Sequence, residues 1–165
     1  MLSKNGIATA DDLISRMPPA ERRKKGPVVM IECFQRIPCN PCFTACKRGA
    51  IQEFKDINDT PTVDYDKCNG CGLCISKCPG LAIFVIDETY SENEATVSLP
   101  FEFLPLPLEG EEVDLLDRSG KKVGRGKVLK VRNGKYEDKT PVITVTVPKE
   151  LSMVVRNIKV GGDEK

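Results

Sequence analysis

The spacing of the cysteines constrains this chain more than any other feature of its sequence. All eight fall between residues 28 and 90 of the 165, in two runs of four. The second run, Cys68 to Pro79, has the spacing Cys-x2-Cys-x2-Cys-x3-Cys-Pro. Three thiolates on such a tight loop can meet three iron corners of one cubane, while the fourth points toward a neighbouring cluster. Gly70 and Gly72 allow the sharp turn and let backbone N–H groups face the sulfurs.

The first run of cysteines departs from that spacing. It comprises Cys33, Cys39, Cys42 and Cys46, or Cys-x5-Cys-x2-Cys-x3-Cys. Three extra residues separate its first two cysteines, and Lys47 stands where proline normally follows the fourth. Each run is followed within five residues by a short apolar segment, Ala50-Ile51 or Leu81-Ala82-Ile83. We therefore predict an internal duplication with pseudo-twofold symmetry.

Composition removes several classes of function. The chain has no histidine, which excludes Ser-His-Asp and Cys-His catalysis, haem attachment, Rieske centres and His-containing zinc sites. The formal charge of +1 gives no overall field for nucleic acid or an anionic membrane. No apolar run approaches the roughly 18 to 20 residues needed to cross a bilayer, and no secretory signal is evident. We expect a cytoplasmic protein, in which cysteines serve as metal ligands more often than as disulfides.

A structural zinc site without redox activity is the alternative interpretation of paired cysteine loops. Zinc sites use two Cys-x2-Cys pairs per ion, whereas the three-plus-one spacing here is the cubane arrangement. The sequence therefore favours two 4Fe-4S clusters over zinc.

Residues 28–90 resemble a bacterial dicluster ferredoxin, an α+β fold built from a pair of strand, cluster-loop, helix and strand units. By the ligation logic of that family, the clusters would be held by two crossed sets of thiolates. The first set is Cys33, Cys39, Cys42 and Cys78, and the second is Cys68, Cys71, Cys74 and Cys46. The long loop after Cys33 makes the first cluster the more divergent of the two.

The cysteine-free remainder predicts two further parts of the chain. Residues 1–27 read as an N-terminal helical extension, with Thr9 as a helix cap and Asp12 three positions later. Residues 91–165 alternate apolar and polar side chains and predict a small antiparallel β-barrel that docks the chain. Its expected strands are Val113–Leu116, Lys121–Val131, Val142–Val147 and Val154–Val160. Prolines make Leu99–Leu108 an extended apolar strap, which packs under this barrel or docks into another subunit.

A second resemblance concerns the segment Gly26–Cys42, which is similar to small iron-sulfur subunits of flavin-dependent amine and amino-acid dehydrogenases of the sarcosine oxidase and proline dehydrogenase type. It implies a non-catalytic electron-transfer subunit in a hetero-oligomer, with FAD or FMN in the flavoprotein partner subunits only. A free low-potential ferredoxin and an iron-sulfur subunit of another oxidoreductase remain as alternatives. A third is a binding module, because Lys127, Lys130 and Arg132 resemble the basic residues of small RNA-binding barrels. We expect no nucleic acid or membrane partner.

Overall fold

The computed structural model describes residues 2–161. Met1 and residues 162–165, the outer ends of the predicted extension and second domain, lie outside the described residues. The helices are α1 (Leu2–Asn5), α2 (Ala10–Ile14), α3 (Ala20–Arg23) and α4 (Pro41–Ala45), with a 3-10 turn at Lys149–Leu151. The strands are β1 (Val28–Ile31), β2 (Ile83–Asp87), β3 (Glu94–Pro100), β4 (Glu112–Leu116), β5 (Lys122–Arg132), β6 (Val142–Pro148) and β7 (Asn157–Lys159). No described helix is long and apolar enough to cross a membrane.

These strands form one antiparallel sheet in the order β1-β2-β3-β6-β5-β4-β7, and together with the short helices they give a mixed α/β fold. Within residues 2–161, β1 and β7 each pair with a single neighbour, so the sheet is not closed. The predicted small β-barrel is therefore corrected to an open sheet. Alternation of apolar side chains reports which face of a strand is buried, but it carries no information on whether the two edge strands meet.

Strand β3 was not predicted from the sequence, which assigned its last two residues, Leu99 and Pro100, to the extended strap. Its alternating Ala95, Val97 and Leu99 are fully buried, and it pairs with β6 over its whole length. On its other side β3 pairs with β2, for example Val97 with Ile86. The sheet thus runs without a break from the cysteine-rich segment into the last third of the chain. The division into three domains stays a prediction.

Strands β1 and β2 form an antiparallel ladder that is buried on both faces. Val28, Phe84 and Ile86 join the main core, to which β3, β4, β5, β6 and β7 also contribute. The alternate residues Val29, Ile83 and Val85 belong to a second core that contains the cysteine loops. Burial on both faces explains why these strands read as unbroken apolar runs. The β1–β2 ladder therefore positions the cysteine loops against the rest of the protein.

The N-terminal extension contains the predicted capping box. The Thr9 hydroxyl accepts from the Asp12 backbone N–H, and the Asp12 carboxylate accepts from the Thr9 backbone N–H at 2.8 Å. Both bonds satisfy groups that would otherwise be unpaired at the start of α2. The prediction of a helix start at Thr9 is confirmed.

Glu32 ties the two ends of the open sheet together. It follows β1 directly, and its carboxylate accepts from Arg118, in the turn between β4 and β5, at 2.8 and 2.6 Å. Arg156, which immediately precedes β7, donates to the same carboxylate at 2.6 Å. Glu32 and Arg156 are 8% and 4% exposed as side chains, so this is a buried ion pair.

Burial disfavours the charged form of both partners of this pair, but its effect on the pKa is outweighed for Glu32 and not for Arg156. For Glu32, the hydrogen bonds and charges of Arg118 and Arg156 outweigh burial and hold the pKa below its ordinary value. Burial lowers the pKa of Arg156 to about 10, although Glu32 pulls in the opposite direction. Both groups are therefore ionised at neutral pH. The stabilisation from Glu32 is present above its ordinary pKa and is lost as pH falls through the lowered one.

Replacing Glu32 tests this tie. Glu32→Gln leaves Arg156 buried without a counter-charge, and removing one partner of a buried pair costs about 3–5 kcal/mol. We expect a loss of that size in the free energy of unfolding, measured by anaerobic urea titration. The control is Glu112→Gln, whose carboxylate is 66% exposed and pairs with Arg125; it should change stability by less than about 1 kcal/mol. Equal effects of the two substitutions would contradict the structural role of Glu32.

Candidate metal centre

The first cysteine run is carried by a loop and by helix α4. Cys33 and Cys39 lie in the irregular segment after β1, and Cys42 is buried within α4. Pro41 stands in the first turn of this helix, where its fixed φ is favourable. Cys46 is the residue at which α4 ends. One short helix therefore presents two cysteines, one near its start and one at its end.

The second run is a tight loop followed by turns. Gly70 and Gly72 have φ values of 69° and 71°, in the left-handed region that favours glycine. Residues 73–77 form turns rather than a helix. A Cβ atom at Gly70 would lie 2.5 Å from Pro27 Cβ and 2.6 Å from the Pro27 carbonyl carbon. Close packing against Pro27 therefore requires glycine there.

The eight thiols fall into two groups. Four cysteines line one pocket with Val29, Ala50 and Ile51: Cys46, Cys68, Cys71 and Cys74. A second pocket is lined by Cys33, Cys39 and Cys78. Cys42 belongs with this second group, since Cys78, Cys39 and Cys33 lie close enough that their thiolates, when ionised, raise its pKa. These are the same two crossed sets that the ferredoxin resemblance implies. Ligation itself stays a prediction.

Burial and crowding raise the pKa of the two most buried thiols, Cys74 and Cys42. Burial, then the neighbouring Cys68, Cys71 and Cys46, raises the pKa of Cys74 to about 12. Burial, then Cys78, raises the pKa of Cys42 to about 11. Cysteine must be deprotonated to bind metal, so a cationic group in each pocket would have to displace these protons.

Backbone N–H groups point at three of the sulfurs. Val29 donates to Cys68 Sγ at 3.4 Å, Ile51 donates to Cys46 Sγ at 3.4 Å, and Ala82 donates to Cys78 Sγ at 3.5 Å. Hydrogen bonds to the ligand sulfurs are among the factors that set the reduction potential of an iron-sulfur cluster. Four soft sulfur donors, apolar walls and N–H groups directed at sulfur form a donor set that fits an iron-sulfur cluster. Between residues 2 and 161, no three His, Cys, Asp or Glu side chains converge closely enough to hold a single metal ion.

Apolar side chains surround the cysteine loops. Ile31, Ile51, Ile75 and Ile83 are buried in the core that contains the cysteine loops. Phe43 and Phe54 pack edge to face, with ring centres 6.4 Å apart. Ile37, on the enlarged first loop, is in contrast 46% exposed.

Arg22 was missed as a site residue. It belongs to the basic run Arg22–Lys25, a pattern typical of a solvated helix face. Instead its guanidinium donates to the carbonyl oxygens of Tyr65, Gly26, Pro27 and Cys68, the last at 2.5 Å. Arg22 therefore joins the N-terminal extension to the start of the second cysteine loop. A run of four basic residues gives no local signal that one of them turns inward.

The contact between Gly70 and Pro27 can be tested against a matched glycine. Gly49 has a similar φ of 63°, but a Cβ there would meet nothing within 4 Å. Gly49→Ala should cost only the strain of the left-handed conformation, roughly 1–2 kcal/mol. Gly70→Ala adds a clash with backbone atoms, and we expect a larger loss of stability and a loss of metal from the second pocket. Anaerobic thermal unfolding and metal content per chain measure both effects; equal behaviour of the two variants would contradict this packing.

Comparison with known proteins adds a family to this geometry. Residues 61–84 match the family model described as 4Fe-4S binding domain. This segment contains the whole second cysteine run. The comparison with solved structures found no match.

Curated relatives match parts of the chain. Pyruvate synthase subunit PorD of Methanocaldococcus jannaschii is 42% identical over 32% of this chain and 58% of its own length. A selenate reductase subunit of Mesobacillus selenatarsenatis is 41% identical over 32% of this chain and 18% of that protein. Translation initiation factor rli1 of Schizosaccharomyces pombe is 31% identical over 60% of this chain and 19% of that protein. The chain thus spans less than two thirds of each of these relatives.

The tight glycine-containing loop, the grouped thiols and the family match lead to the same assignment: this chain contains a ferredoxin-type 4Fe-4S binding domain.

Proposed function

We propose that this chain is the electron-transfer subunit of an oxidoreductase complex and relays single electrons through two 4Fe-4S clusters. The observation that carries the proposal is the sorting of the eight cysteines into two groups of four, with members of both groups in one hydrophobic core. Two of the relatives are subunits of oxidoreductases by name, pyruvate synthase and selenate reductase. The chain has no catalytic role in this proposal.

In the proposed relay, the chain's own residues hold the clusters and limit water around them. Cys33, Cys39, Cys42 and Cys78 would hold the first cluster, and Cys46, Cys68, Cys71 and Cys74 the second. Each cluster, when bound, exchanges one electron with little structural change.

The crossing of the two ligand sets keeps the clusters adjacent. Cys42 and Cys46 lie four residues apart in and at the end of α4 but belong to different groups. Cys74 and Cys78 are divided in the same way. Two clusters that share these short segments are held close together, which suits electron transfer between them.

The class of partner is proposed from the segment Gly26–Cys42. Its resemblance to small subunits of flavin-dependent amine and amino-acid dehydrogenases implies FAD or FMN in a partner flavoprotein. The two relatives named as oxidoreductase subunits belong to pyruvate synthase and selenate reductase, and they do not support that class. A complex of the pyruvate synthase type is therefore the second candidate, favoured by the similarity to PorD.

Part of the proline-rich strap supports a docked subunit rather than a free carrier. Leu99 and Phe101 are buried, and Leu106 packs against the main core, which agrees with packing under the chain's own sheet. In contrast, Phe103, Leu104 and Leu108 are 62%, 86% and 75% exposed. Three large apolar side chains exposed within six residues are consistent with the docking alternative.

The binding-module alternative has little support from its basic residues. Arg132, one of the three that suggested it, turns toward the carbonyl oxygens of Cys71 and Gly72. This residue is therefore occupied within the protein. Electron transfer remains the function that the geometry supports best.

Anaerobic purification from native expression tests the proposal. We expect about eight irons per chain, as two 4Fe-4S clusters require, and stoichiometric co-purification of oxidoreductase subunits. Flavin in those subunits would support the amine or amino-acid dehydrogenase class over the pyruvate synthase class. A lone monomer with full iron would indicate a free ferredoxin, and zinc in place of iron would overturn the function.

Serine substitutions test the assignment of ligands. Cys33→Ser should abolish or convert only the first cluster, and Cys71→Ser only the second, because each thiol lies in one group. EPR spectra of the reduced variants distinguish the two signals. If both signals survived Cys33→Ser unchanged, the assignment of Cys33 would be wrong.

A further inference from the structure

The connection between β5 and β6 packs against the outer side of the second cysteine loop. Arg132, the last residue of β5, donates from Nη1 to the Cys71 carbonyl at 3.3 Å and from Nη2 to the Gly72 carbonyl at 3.1 Å. The Tyr136 hydroxyl donates to the Leu73 carbonyl at 3.3 Å. Three consecutive carbonyls of the loop are thus bonded to residues some 60 positions later in the sequence.

Lys77 completes this contact from the other side. Its ammonium donates to the Tyr136 carbonyl and lies 4.3 Å from the centre of the Tyr136 ring. The fit at Arg132 is close, because a Cβ atom at Gly72 would lie 3.0 Å from Arg132 Nη2. The β5–β6 connection therefore has a defined position against the loop.

The bonds from Arg132 also fix the direction of two peptide groups. In a planar trans peptide, the N–H points opposite to the C=O. Since the carbonyls of Cys71 and Gly72 face Arg132, the N–H groups of Gly72 and Leu73 point away from it. Both residues line the pocket that contains the four thiols, whereas Arg132 does not. The guanidinium thus lies at the carbonyl ends of two peptide dipoles, and the positive N–H ends of these dipoles face the pocket.

We propose that Arg132 is a positioning residue for the second cluster, which orients the Cys71–Leu73 loop and raises the reduction potential of that cluster. The inference rests on the proposed function. A fixed positive charge and N–H groups directed at a cluster both favour its reduced state, which carries one more negative charge. Arg132 is 24% exposed as a side chain, so water screens its charge only in part.

Glu137 opposes Arg132 in this arrangement. Its carboxylate lies 3.9 Å from Arg132 Nε and is 10% exposed, and it also accepts from the Gly134 backbone N–H at 3.1 Å. A nearby negative charge favours the oxidised cluster, so Glu137 offsets part of the effect of Arg132. The two residues therefore predict shifts of opposite sign.

The test is a set of variants of the full chain, purified anaerobically with its partners. Arg132→Gln should lower the midpoint potential of the second cluster, with at least a threefold change in its reduction equilibrium, or about 28 mV for one electron. The first cluster should keep its potential. Glu137→Gln should raise the potential of the second cluster. EPR-monitored redox titration measures both potentials in one sample.

Two further variants separate charge from structure. Arg125→Gln is the matched control, because Arg125 lies on the same strand, is 56% exposed and pairs with Glu112 and Asp114; neither potential should move. Arg132→Lys keeps the charge but loses the two-pronged donor geometry. It should restore part of the potential lost in Arg132→Gln.

The outcomes distinguish this proposal from the function on which it rests. Unchanged potentials in Arg132→Gln at full iron content, or equal shifts of both clusters, would overturn the role of Arg132 and leave electron transfer intact. If Arg132→Gln lost its second cluster, Glu137→Gln would decide, and a fall or no change there would overturn the proposal. Absence of two clusters from the unaltered protein would instead overturn the proposed function.

Discussion

The rest of the structure depends on the pairing of β1 with β2, because this ladder is buried on both faces. One face, with Val28 and Ile86, closes the main core, and the other, with Val29 and Val85, carries the cysteine loops. The Val29 N–H bonded to Cys68 Sγ comes from this ladder. A loss of packing in the main core would therefore be felt directly at the thiols.

Long arginine side chains connect the cysteine loops to the parts of the chain that contain no cysteine. Arg22 reaches the second loop from the extension, Arg132 reaches it from β5, and Arg118 and Arg156 hold Glu32 next to Cys33. Each guanidinium donates to carbonyl or carboxylate oxygens, where several parallel donors give both attraction and direction. The extension and the last third of the chain thus determine the surroundings of the predicted clusters.

Local patterns predicted well, and contacts distant in sequence did not. The Thr9 cap and the left-handed glycines of the second loop depend on residues within a few positions, and both are present. The two groups of thiols followed from spacing and family resemblance. The inward turn of Arg22 and Arg132 depends on partners 46 and 60 residues away, which no local signal reveals. The edges of the sheet were mispredicted for the same reason, since pairing between edge strands is a property of the whole fold.

The pairing of β2 with β3 limits where this chain can be cut into fragments and which segments can be moved into another protein by recombination. A fragment that ended at residue 90 would contain all eight cysteines, but its β2 would be an open edge. Ile86, fully buried in the whole chain, would lose the partners that cover it on β3. Open apolar edges pair with one another and aggregate. Recombination that moved the cysteine-rich segment into another protein would have to supply a replacement strand along with it.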